Sequence, residues 1–195
     1  MLHKIETFIK NLSEHIENDD QSSNDDPVKK MISKYAAICA VFAMLPNSLI
    51  PGSDFVGLTL IQCVMARNIA KHYGKNPSFD ELKELIKNIG MTMGLAFGAQ
   101  QLVLSLYRTI VPYWGGVTTF AMVFSATYAV GYVIDCIYKS EAEGVDFCPD
   151  NMKTIIGDLK EEGKKLSKDF NPKKLFSHAK QAWSDTSKTN NDKAA

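Results

Sequence analysis

The feature that most constrains this chain is an almost uncharged stretch from Lys87 to Lys139. No Asp, Glu, Lys or Arg occurs between Lys87 and Arg108, and none between Arg108 and Asp135. A segment this apolar has to leave water, either in a protein core or in lipid. Pro112-Tyr113-Trp114-Gly115-Gly116 divides it. Proline lacks the N–H that a helix interior needs, and paired glycines reach dihedrals that other residues avoid. Two helices joined by a tight turn are therefore expected. Gly90, Gly94 and Gly98 lie four apart on one face of the first, and Ala121, Ser125 and Ala129 repeat that spacing on the second. Small residues four apart let two backbones approach closely, the way helices associate where lipid removes the hydrophobic drive.

Around this stretch the pattern sets the other boundaries. Leu2, Ile5, Phe8, Ile9, Leu12 and Ile16 make one apolar stripe at helical spacing. Residues 1–16 thus read as an amphipathic helix, docked on the domain or lying at a membrane surface. Residues 17–28 are acidic and poor in apolar side chains, and are expected to be a disordered linker. Residues 29–140 form the helical domain. In it, an apolar run from Tyr35 to Leu45 ends in a turn with Pro46 and Pro51. Ser53 or Asp54 can cap the next helix, whose apolar face includes Phe55, Leu58, Ile61, Met65 and Ile69 and which stops near Gly74. Ser78 with Glu81 is a capping box that opens a third helix, and a fourth covers Val117 to Tyr138. Residues 141–184 are polar, with two more amphipathic helices, one striped by Met152, Ile155, Ile156, Leu159 and Leu166 and one by Leu175, Phe176, Ala179, Ala182 and Trp183. Residues 185–195 read as a disordered tail. The expected fold is all-α: two consecutive glycine-rich, membrane-associated helical hairpins with amphipathic helices at both ends.

A bilayer core of about 30 Å needs roughly 20 mainly apolar residues. The half from Val117 to Ile134 nearly meets this, and the half from Asn88 to Val111 is long enough but carries Gln100, Gln101 and Arg108. Tyr113 and Trp114 sit where an interfacial aromatic belt belongs, with Lys83, Lys87 and Lys139 at the opposite end. By the positive-inside rule this is a hairpin with both ends cytoplasmic. The alternative is a soluble bundle in which the glycines allow close packing in water.

The chemistry-bearing residues assemble no reaction. With 22 basic and 22 acidic residues there is no global field to attract nucleic acid. Cys39, Cys63, Cys136 and Cys148 show no C-x-x-C spacing and read as buried free thiols. His3, His15, His72 and His178 lack metal-ligand spacing. Gly74-Lys75 is followed by Asn76 and lacks the upstream glycine of a P-loop, and Ser105 and Ser125 read as packing hydroxyls. Asp54 reads as a helix cap and Asp135 as a helix-end charge, an intramembrane or interface charge being the second reading of each. No catalytic residue, cofactor or metal is expected, and the chain is not expected to be an enzyme. Nothing in it specifies an oligomer.

Two ordered groups of residues carry a resemblance. Ile50-Pro51-Gly52-Ser53-Asp54, Leu58-Thr59, Gln62, Met65, Ala70 and Tyr73-Gly74 form the first, and Ile110-Val111-Pro112 with Thr127-Tyr128-Ala129-Val130-Gly131 the second. Over roughly Met31 to Ser140 the chain resembles an uncharacterised GTPase-associated domain family found in YcjF-type bacterial inner-membrane proteins. Family-like positions are Pro51, Asp54, Gln62, Gly74, Pro112, Tyr128 and Gly131. The resemblance implies a small helical membrane protein of the bacterial inner membrane, with no catalytic residue to carry over; the positive-inside reading adds termini that face the cytoplasm. Relatives often join the domain to a GTPase; this sequence has none and places Tyr113-Trp114 where relatives have small residues, so a GTPase would be a separate partner. The function expected is a non-enzymatic membrane-associated module that anchors or recruits a cytoplasmic partner. Its alternatives are a soluble helical interaction protein and an effector that inserts conditionally into a membrane.

Overall fold

A computed structural model describes residues 2–19, 26–45, 54–89, 115–145 and 152–191 of the chain. Among the described residues every regular element is helical and there is no strand, so the fold is all-α. In chain order the helices are α1 (Leu2–Asp19), α2 (Pro27–Phe42), α3 (Asp54–His72), α4 (79–89), α5 (Gly115–Glu143), α6 (Met152–Leu166) and α7 (Pro172–Asn191). A single 3-10 turn, Ser167–Asp169, joins α6 to α7.

Local chemistry explains the starts and stops. Asp26 Oδ1 accepts hydrogen bonds from the amides of Val28 (2.9 Å) and Lys29 (3.4 Å), and Pro27 occupies the first turn of α2, where its missing N–H costs nothing. The capping box is present: the Ser78 amide donates to Glu81 Oε2 at 2.6 Å and the Glu81 amide to Ser78 Oγ at 3.3 Å. Hydrogen bonds from the Ser78 amide and side chain hold the Glu81 carboxyl below its usual range. Helix α3 ends at Gly74 with φ +71°, where the Lys75 amide reaches back to the Ala70 carbonyl at 2.9 Å. Glycine takes this left-handed position without the Cβ clash that other residues meet.

Helix α5 is the hub. Its 29 residues span about 43 Å at 1.5 Å per residue, and it packs against α2, α3 and α6. Phe120, Phe124, Tyr128, Ala129, Val133 and Ile134 are all buried on it. Helix α2 is buried almost all round from Tyr35 to Phe42, between α5, α3 and the terminal helices. Helix α1 packs on α7, α2 and α3. Its stripe of Ile5, Phe8, Leu12 and Ile16 is buried, so the N-terminal helix docks on the bundle.

Several boundaries differ from the sequence reading. Gly115 and Gly116, assigned to the hairpin corner, lie in the first turn of α5, which continues past Tyr138 to Glu143. At a helix start the first amides need no intrahelical partner, so glycine is tolerated there. The acidic stretch 17–28 begins within α1 and ends within α2, and α7 runs to Asn191, beyond the last striped residue at Trp183.

Candidate functional site

The described polar groups of the core form a seam between helices. Asn68 Nδ2 of α3 donates to Tyr35 Oη of α2 at 2.6 Å. Cys39 of α2 shares a hydrogen bond with the Thr127 side chain of α5. Tyr73 Oη, just past α3, donates to Asp135 Oδ1 of α5 at 2.7 Å. Tyr128 Oη of α5 donates to Glu162 Oε1 of α6 at 3.0 Å. A buried polar group costs free energy unless paired, so each bond favours one registry of its two helices over a slipped one.

The electrostatics of the seam are those of desolvation. Burial raises the Asp135 carboxyl above its ordinary value, an effect that the hydrogen bond from Tyr73 partly offsets. Burial pushes the Cys39 thiol up to about 12 and the Cys63 thiol up to about 11. Both are neutral near pH 7, whereas a nucleophile or metal ligand needs the thiolate. Cys136 is half-buried, and its thiol is also raised by burial. Cys148 lies outside the described residues.

The small residues of α5 meet different partners. Ser125 faces α6: a Cβ built on Gly163 would lie 2.8 Å from Ser125 Cα, so the two backbones touch there. Ser125 Oγ is turned back to its own helix, donating to the Met122 carbonyl at 3.1 Å. Gly131 faces the other way, and a Cβ on it would come 2.7 Å from Ile32 Cγ2 of α2 and 3.1 Å from Met65 Sδ of α3. Ala129 is buried and Ala121 half-buried. Of the family-like positions, Tyr128 and Gly131 lie in the core, Gln62 is half-buried on α3, Gly74 ends α3 and Asp54 is its first residue. Gly90, Gly94, Gly98, Pro51, Pro112 and the Tyr113-Trp114 pair lie outside the described residues.

Sequence reasoning missed four sets of contacts. Gly163 brings α6 directly against the backbone of α5 at Ser125. Tyr73, which the sequence marks only by its place beside Gly74, reaches Asp135 on α5. Trp183 meets Phe8 of α1 and Phe42 of α2 edge to face, with centroids 5.7 Å and 5.8 Å away. His15 stacks on His178 at 4.2 Å. Since residues 8 and 15 pair with 183 and 178, α1 and α7 run antiparallel and bring the two ends of the chain together.

Thr119–Glu143 is, among the described helices, the one segment long and apolar enough to cross a membrane; 61% of its apolar window is buried in the bundle, as in the core helix of a soluble protein. A family model described as a domain of unknown function, DUF697, matches residues 8–134. The match starts within α1, earlier than the Met31 start of the resemblance, and leaves α6 and α7 outside. No curated protein and no solved structure matches the chain.

Proposed function

The chain belongs to the DUF697 family of domains, matched from residue 8 to residue 134, and on that footing we propose that it is a non-enzymatic, membrane-associated helical module that recruits a cytoplasmic protein partner. The observation that carries the proposal is the pairing of the chain ends. Phe8 packs on Trp183 at 5.7 Å, so the polar helices α1 and α7 lie in one compartment. The uncharged stretch between Lys87 and Arg108 is bracketed by Ile89, buried in the bundle, and by α5, its central helix. In this proposal α5 stays in the bundle, enclosed by helices with charged outer faces. The uncharged stretch is the part of the chain that meets the bilayer. Lys83, Lys87 and Lys139 favour the cytoplasmic face. The YcjF-type resemblance supports a bacterial inner membrane and a separate GTPase as the class of partner.

The burial of α5 favours a second reading, a soluble helical interaction protein. Washing membranes from cells that express the untagged chain with alkaline carbonate separates the two. Retention in the pellet is expected; complete release into the supernatant would leave the soluble reading.

A further inference from the structure

The chain is neutral overall, yet its charge is segregated. From Lys164 to Lys180 there are six lysines, Lys164, Lys165, Lys168, Lys173, Lys174 and Lys180, against one acidic residue, Asp169. All six are exposed, on the last turn of α6, the 3-10 turn and the first half of α7. The inward side of the same segment is tied down by buried Gly163, Ser167, Phe170, Leu175 and Ala179. Phe170 packs on Phe124 of α5 with centroids 5.4 Å apart. Lys164 pairs with Glu161 at 2.6 Å, and from Phe170 to Ser184 the sequence has no carboxylate at all. The lysines are thus held on a packed corner rather than on a free tail.

We propose that this corner, where α6 turns into α7, is a docking surface for the anionic headgroups of a lipid bilayer. The proposal rests on the membrane-associated reading and adds to it a surface outside the family-matched region. Four to eight basic residues clustered on an amphipathic helix suit a negatively charged leaflet, each contributing through a field that salt screens. The chemistry is less suited to nucleic acid. The segment contains no arginine for forked phosphate contacts, and Phe170 is buried rather than offered for base stacking. Lysine ammonium groups are mobile point charges that fit a diffuse headgroup layer.

The test is flotation of the purified full chain with vesicles of phosphatidylcholine alone or of an equal mixture with phosphatidylserine, at low and high salt. The wild type is expected to bind the mixed vesicles in excess of the neutral ones, and the excess to vanish at high salt. The variant K165Q/K168Q/K173Q/K180Q is expected to lose at least about tenfold of that excess, with neutral-vesicle binding and thermal midpoint unchanged. A single Lys168→Glu change on the 3-10 turn should act in the same direction. A control, K10Q/K30Q/K71Q/K75Q, removes four exposed lysines elsewhere and should keep the excess. The inference is overturned if the corner variant binds like wild type, if the control loses as much, or if the excess survives high salt. Carbonate retention with an unaffected corner variant would sink this surface alone. Carbonate release with loss of the anionic excess in the corner variant would sink the anchored function and keep the surface.

Discussion

Tyr73 and Asp135 are joined by a 2.7 Å hydrogen bond that ties the end of α3 to the C-terminal half of α5. Asp135 is only 9% exposed, so its carboxylate relies on that one phenol for much of its solvation. Removing the donor by Tyr73→Phe leaves a buried acceptor short of a partner. A loss of about 1–3 kcal/mol is expected, read from chemical denaturation. A loss below a few tenths would show that solvent reaches the carboxylate.

The same pair makes a pH prediction. Burial raises the folded-state value of Asp135, so the native state holds the proton more tightly than the unfolded chain does. The contribution of this group to stability is complete at low pH and is lost as pH rises through the folded value. Asn keeps an oxygen acceptor for Tyr73 and has no charge to bury. Asp135→Asn should therefore gain on the wild type as pH rises above the ordinary carboxylate range, about pH 4. Parallel stability curves for the two proteins would contradict the burial argument.

Gly163 and Ser125 mark a close passage between α5 and α6. A methyl on Gly163 would meet main chain, 2.8 Å from Ser125 Cα, and main chain cannot swing aside as a flexible side-chain end can. Gly163→Ala is expected to cost about 1–3 kcal/mol despite alanine's better helix propensity. Gly74→Ala meets no atom within 4 Å but keeps φ +71°, so it should cost roughly 1–2 kcal/mol from backbone strain alone. If Gly163→Ala stabilises the protein, α6 does not pack as described.

Trp183 closes the ends of the chain on each other through Phe8 and Phe42. Trp183 is half-buried, so Trp183→Ala should cost less than the roughly 3–5 kcal/mol of a fully buried aromatic. Its local effect should be larger than its global one. Limited proteolysis should cut within α1 earlier in the variant than in wild type, while α5 stays protected. Simultaneous loss of both would mean that α1 has no independent opening.

The free thiols should separate by burial. Cys39 and Cys63 are fully buried and Cys136 is half-exposed. With a soluble thiol reagent and mapping by mass spectrometry, Cys136 should label before Cys39 and Cys63. Cys39 should label only after denaturant is added, because burial keeps it a neutral thiol. Rapid native labelling of Cys39 would place α2 at the surface.

What the sequence determined by itself is local. Ser78 and Glu81 announce the start of α4, Gly74 the end of α3, and the stripe Ile5, Phe8, Leu12 and Ile16 the buried face of α1. Each signal lies within a few residues, where helical periodicity and main-chain hydrogen bonding act. The tertiary structure alone decided which faces meet: Trp183 with Phe8, Tyr73 with Asp135, Gly163 with Ser125. No period encodes such pairs, because they depend on the shapes that two distant helices present to each other. Helix α5 makes the difference plain. Its hydropathy suits a membrane span and a core helix equally, since lipid and protein interior are both apolar solvents. Its place in the described bundle is set by α2, α3 and α6, which bury most of its apolar window.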